Sequence, residues 1–267
     1  MSSQSEVGHS KNVANLEDLI SYIISYGAAY NPSANNIKLS ALQTLLTNAK
    51  TAISNTTSTF TNYKNATNAR EIGFDNIRKL STRVVNLLDA GGAAEQTVKD
   101  AKTIDRKMRG AKVKKFKAGP EGSDTPTIPN TPGGTLPPLG GVGGGLPVPE
   151  DRSISTSQQS YDSLLQHLSG MIQLVSTEPT YAPNEADLKV TALNTYLTSL
   201  QTKNTTVINA TTAWSNARIA RNNLLYNPTT GLVKISVEVK KYVKALFGAT
   251  SPQYKQLTAL RFSTRNA

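Results

Sequence analysis

The stretch YNPSANNIKLSALQTLL at residues 30–46 returns, little altered, as YAPNEADLKVTALNTYL at residues 181–197. The correspondence continues at a register shift of 151 residues (181 minus 30): Tyr63 falls opposite Trp214, Ala66 opposite Ala217, and Arg70 opposite Arg221. Past Arg221 the second copy carries extra residues around NPTTG, and a shift of 158 then aligns Ile77 with Ile235, Val85 with Val243 and Leu88 with Leu246. Seven added residues at a turn cost little, because loop-closure entropy grows slowly with length. Repetition held over such a span predicts one structural unit written twice.

Apolar spacing says which kind of unit. Leu39, Leu42, Leu46, Ala49, Ile53, Thr56, Phe60, Tyr63, Thr67 and Arg70 step by three and four residues without a break, and Val190, Leu193, Leu197, Leu200, Asn204, Val207, Thr211, Trp214, Arg218 and Arg221 repeat the stride. That is the seam of a long helix. Pro32 and Pro183 are placed where a first turn tolerates proline, so the long helices are expected to begin near them. A helix from about residue 34 to 71 would span roughly 57 Å.

Shorter amphipathic stretches flank each long one. LEDLISYIISYGAAY and YDSLLQHLSGMIQLV precede, with Leu16, Leu19, Ile20, Ile23 and Ile24 on one stripe and Leu164, Leu165, Leu168, Ile172 and Val175 on the other. IRKLSTRVVNLLD and AAEQTVKDAKTIDRKM follow the first; LVKISVEVKKYVKALF and SPQYKQLTALRF follow the second. VKISVEV alternates like a strand, but its counterpart IRKLSTRVV favours helix. The expected fold is therefore all-α: two tandem homologous bundles of about four helices each, one of them long. Residues 1–12 form a loose tail, 13–110 unit 1, 111–155 a basic and then Pro/Gly-rich linker, and 156–267 unit 2.

The linker contains TPTIPNTPGGTLPPLGGVGGGLPVPE. Its glycine run lacks the preceding strand, the Lys-Ser/Thr pair and the helix start that a phosphate loop needs. Two readings remain, a plain tether or an extended segment docking through Leu136, Leu139, Leu146 and Val148.

Cysteine is absent, which excludes disulfides, thiolate metal sites and cysteine nucleophiles. The two histidines, His9 and His167, have no metal-ligand spacing, and there is no Glu-x-x-His or Gly-x-Ser-x-Gly pattern. No cofactor and no catalytic residue is expected. The N-terminus lacks the profile of a secretory signal and no run is long and apolar enough for a membrane span, so the expected location is the cytoplasm.

Net charge is +11. Lys102, Arg106, Lys107, Arg109, Lys112, Lys114, Lys115 and Lys117 gather at the end of the first copy, and Lys240, Lys241 and Lys244 near the end of the second. They are candidate contacts for nucleic acid or another polyanion, without any sequence-reading motif beside them. Arg70 and Arg221, kept at one seam position in both copies, are expected to be structural, paired with a carboxylate or helix-end carbonyls. The preferred function is a non-catalytic structural or scaffolding protein acting through self-association or contact with another protein. The alternative is sequence-independent nucleic-acid binding.

Overall fold

A computed structural model describes residues 4–110 and 159–264. Among these the chain forms helices α1 (Gln4–Ser25), α2 (Leu39–Phe74), α3 (Ile77–Ala90), α4 (Glu95–Arg109), α5 (Tyr161–Ser176), α6 (Val190–Tyr226), α7 (Leu232–Phe247) and α8 (Pro252–Ala259), and no strand. The VKISVEV segment lies wholly within α7, where Val233, Ile235, Ser236, Val239 and Val243 are buried at helical spacing. Among the described residues no helix is long and apolar enough to cross a membrane.

Both long helices begin later than the prolines suggest. Each is preceded by a 3-10 turn, Asn35–Ile37 before α2 and Ala186–Leu188 before α6. A buried tyrosine closes each entrance: Tyr30 Oη donates to Ile37 O at 2.6 Å, and Tyr181 Oη donates to Leu188 O at 2.8 Å. The carbonyl so satisfied is that of the turn's only buried residue, Ile37 or Leu188. Burial pushes the Tyr30 hydroxyl well above the ordinary phenol range, with Tyr242 adding to it. Tyr181 is pushed up to about 12, mainly by burial and further by Asp187 and Glu185.

The described residues pack as two compact units, and these do not follow the two sequence halves in order. One comprises Met1–Gly73 with Thr202–Ala267; the other is Phe74–Gln201. The first unit buries Leu16, Leu19 and Ile23 of α1, Leu42 of α2, Val239 and Val243 of α7 and Leu257 of α8 in one core. The second buries Val84 and Leu88 of α3, Ala101 and Met108 of α4, Leu168 and Met171 of α5, and Leu193 and Leu200 at the start of α6. At 36 residues α2 runs about 54 Å; its first turns contribute to the first core, while α3 and α4, which follow it, complete the second with α5 and the start of α6.

Polar contacts follow the same exchange. In the first unit Asn12 Nδ2 donates to Ser263 O at 2.9 Å, Ser263 N returns a bond to Asn12 Oδ1, and His9 Nδ1 lies 2.6 Å from Tyr226 Oη. Residues 4–12, assigned above to a loose tail, are thus the first turns of α1, held by partners more than 200 positions away that no local pattern reveals. In the second unit Arg83 makes a bidentate ion pair with Asp187, tying α3 to the turn before α6. Arg78 Nε donates to Met108 O, and Gln159 Nε2 donates to Lys107 O at 2.6 Å, so both help to close the carbonyl end of α4.

The surplus residues of the second copy form a tight turn between α6 and α7. Asn227 Oδ1 accepts from Thr229 N and Thr230 N, and Gly231 N donates to Asn227 O at 2.9 Å. A Cβ on Gly231 would stand 2.5 Å from Asn227 N, which is why glycine occupies that position.

Two outcomes are expected. A chain cut by a protease site inserted within residues 111–158 will elute as one particle in native buffer and part into two fragments only in denaturant, because each compact unit draws on both sides of the cut. Tyr30→Phe and Tyr181→Phe will each lose about 1–3 kcal/mol near neutral pH, from a buried carbonyl left without its donor. Both tyrosines titrate higher folded than unfolded, so their contribution is intact below pH ~10 and declines as the unfolded chain ionises above it. The double variant should therefore lose stability less steeply between about pH 10 and 12 in denaturation series.

Candidate functional site

In the first unit α2 and α6 run antiparallel, as the paired residues show. Thr56 Oγ1 reaches Ala217 O, Tyr63 stacks on Trp214 with centroids 5.3 Å apart and planes at 15°, and Arg70 Nη1 donates to Asn204 Oδ1 at 3.0 Å. The seam is narrow. Thr56, Ala66, Asn204, Val207 and Ala217 are buried, while most neighbours on both helices are exposed. Most of these side chains are small, and Thr56 Oγ1 also donates to Ala52 O at 2.8 Å.

The buried row departs from the strict three-four stride. Phe60 is 39% exposed and Arg218 lies in solvent, whereas Ala66 and Ala217, one step round the helix, are covered. A row repeating every seven residues drifts about 20° per heptad on a helix of 3.6 residues per turn, so a stride that starts in the core reaches the flank within four heptads. Phe60 and Trp214 lie 5.1 Å apart there, with Lys64 Nζ 5.9 Å from the Phe60 centroid and the Arg218 guanidinium 5.0 Å from that of Trp214. Each cation stands four residues after its ring, the spacing that brings side chains together on a helix. F-x-x-x-K and W-x-x-x-R were legible signals that reading the seam alone passes over.

Arg221 is the largest fully buried side chain, and its Nε and Nη2 donate to Asn222 Oδ1 at 3.2 and 3.0 Å. Its counterpart Arg70 bonds across the seam to Asn204. Both arginines act within the packing of the first unit.

The candidate basic contacts divide. On α4, Lys102 donates to Asp89 at 2.8 Å, Arg109 stands 3.8 Å from Asp105, and Arg106 donates to Thr103 Oγ1; Arg106 and Lys107 are exposed. On α7, Lys240 is tied to Leu260 O and lies 5.1 Å from the Phe262 ring, and burial lowers its ammonium below the usual range. Lys244 lies over Tyr254 at 5.8 Å, and Lys241 is exposed. Lys240 thus anchors the C-terminal segment. Lys112, Lys114, Lys115 and Lys117, together with Leu136, Leu139, Leu146 and Val148, lie outside the described residues.

A cavity of about 430 Å³ in the second unit is lined by Asn76, Lys79, Leu80, Arg83, Asp187 and Tyr196, and its one guanidinium is already engaged by Asp187. His167 is half-buried, its pKa lowered by burial and by Lys107. Among the described residues no three His, Asp or Glu side chains converge as a metal site would require. Comparison with protein-family models, with curated proteins and with solved structures returned no match.

The seam generates a packing prediction. Ala217→Leu will destabilise the chain by about 1–3 kcal/mol through overpacking against Thr56, whereas Arg218→Gln, at the exposed flank, will change stability by less than about 1 kcal/mol. Urea denaturation followed by circular dichroism measures both.

Proposed function

We propose that the protein is a non-catalytic scaffold that works through its long helices, in the first instance by contact with copies of itself. The observation that carries this reading is the outer face of α6. Ile208 is 56% exposed and Ile219 64% exposed. Eleven residues apart, they lie within about 20° of one another around the helix, with the uncharged Thr212 and Ser215 between them. Covering each isoleucine would contribute about 1.5–3 kcal/mol, and a row of such side chains on a long helix suits the helix-to-groove mode of protein recognition.

The reading includes a duplicated origin for the helical unit, linked through residues 111–155. Support comes from the matching tyrosine hydrogen bonds at Tyr30 and Tyr181, the matching 3-10 turns, and the stacking of Tyr63 on its counterpart Trp214. Contact between equivalent positions is a mark of twofold association. A second reading, sequence-independent nucleic-acid binding, is favoured by the net charge of +11 and by the exposure of Arg106, Lys107 and Lys241.

Light scattering is expected to show a mass that rises with concentration above 28.6 kDa, and Ile208→Glu/Ile219→Glu is expected to hold the chain at its single-chain mass. A single-chain mass for the unaltered protein at every concentration would count against self-association. Binding to duplex DNA that weakens steeply with salt would favour the second reading, and a flat salt dependence would remove it.

A further inference from the structure

The long helices are unusual in the sign of their charge. Residues 51–70 and 202–221 contain Lys64, Arg70, Lys203, Arg218 and Arg221 and not one aspartate or glutamate. Arg70 and Arg221 are absorbed in the packing described above. Lys64, Lys203 and Arg218 form no ion pair among the described residues, in contrast to Lys99, Lys102 and Arg109 of α4, each of which has a carboxylate within 4 Å. Within these two stretches no carboxylate offsets the three cations, and the single acid on either long helix, Glu71, lies two turns beyond Lys64.

Two of these cations stand on aromatic rings. A guanidinium laid on an indole keeps its in-plane N–H groups directed outward, in the geometry that grips a carboxylate, and it arrives already ordered. Phe60 adds apolar surface 5.1 Å from Trp214. Aromatic and arginine side chains clustered at a partly exposed flank are the composition of interface hot spots.

We propose that the flank carrying Phe60, Lys64, Trp214 and Arg218 docks an acidic segment of another protein, one that presents carboxylates beside aliphatic side chains. Carboxylates meet Lys64 and Arg218, and an aliphatic side chain covers Phe60. A second copy of this chain fits poorly in a twofold contact at this flank, since it would bring the same cationic surface. Single-stranded nucleic acid also fits poorly: base stacking needs free ring faces, whereas Trp214 already carries Tyr63 and Arg218, and Phe60 already carries Lys64. This flank is separate from the Ile208–Ile219 row: Arg218 and Ile219 are consecutive and so lie about 100° apart round the helix. The proposal rests on the scaffold reading only in assuming a protein partner.

Trp214 is the only tryptophan of the chain, so its emission reports this flank directly. The test titrates the full chain with a helical peptide of about 20 residues, Leu at i, i+3, i+4 and i+7 and Glu elsewhere. Polyglutamate and an oligothymidylate of similar length serve as comparisons. A saturable change in emission is expected with the peptide, its affinity weaker by about threefold in Lys64→Gln, as one rim contact of about 0.7 kcal/mol implies. That variant leaves Arg218 on the indole, and an unchanged melting midpoint shows that it folds. No change with the peptide, equal affinity in the variant, or tighter binding of polyglutamate or oligothymidylate would each overturn the proposal. Its failure beside a concentration-dependent mass would leave the scaffold reading in place, and the converse pair of results would do the opposite.

Discussion

The structure depends above all on two cores that are each closed by segments distant in sequence. The apolar faces of α3 and α4 are buried with α5 and the start of α6, and those of α7 and α8 with α1 and the start of α2. The long helices α2 and α6, of 36 and 37 residues, each run about 55 Å and contribute their opening turns to different cores. Each compact unit therefore draws on both halves of the sequence.

In the first unit α2 and α6 meet along a thin seam, and a two-helix contact buries one narrow row. Alanine, threonine, valine and asparagine fill that row, with the Tyr63–Trp214 stack near its middle. Little apolar area is removed from water there, so the seam also draws on paired polar groups such as Arg70 with Asn204. Among the described residues, Ile208, Ile219, Phe60, Lys64 and Arg218 of these two helices are exposed.

Much of the helical framework could be read directly. The stripes of α1 and α5 are buried except for Ile24, which is 54% exposed, and Leu165, which is half-buried, and glycines marked the ends of α3 and α7. The entrances of α2 and α6 were placed too early, because a proline pattern does not distinguish a first helical turn from a 3-10 turn closed by a buried tyrosine. Burial of His9 escaped notice because its partner, Tyr226, lies 217 residues away. Leu246 aligns with the fully buried Leu88 yet is 40% exposed, and α8 spans 8 residues where α4 spans 15. Of the candidate contacts, Lys240 turned inward to Leu260, while Lys241 stayed in solvent; adjacent lysines on a helix point about 100° apart, and only the neighbouring segment decides which is covered.

What the sequence determined by itself was local or compositional: helical periodicity, the absence of cysteine and the excess of positive charge. Such features need no knowledge of which distant residues meet. Only the tertiary structure decided which helix supplies which core, which arginine is buried, and which cations remain without an acid nearby. Those outcomes depend on partners distant in sequence, such as Tyr226 for His9, and no spacing between neighbouring residues encodes which partners those will be.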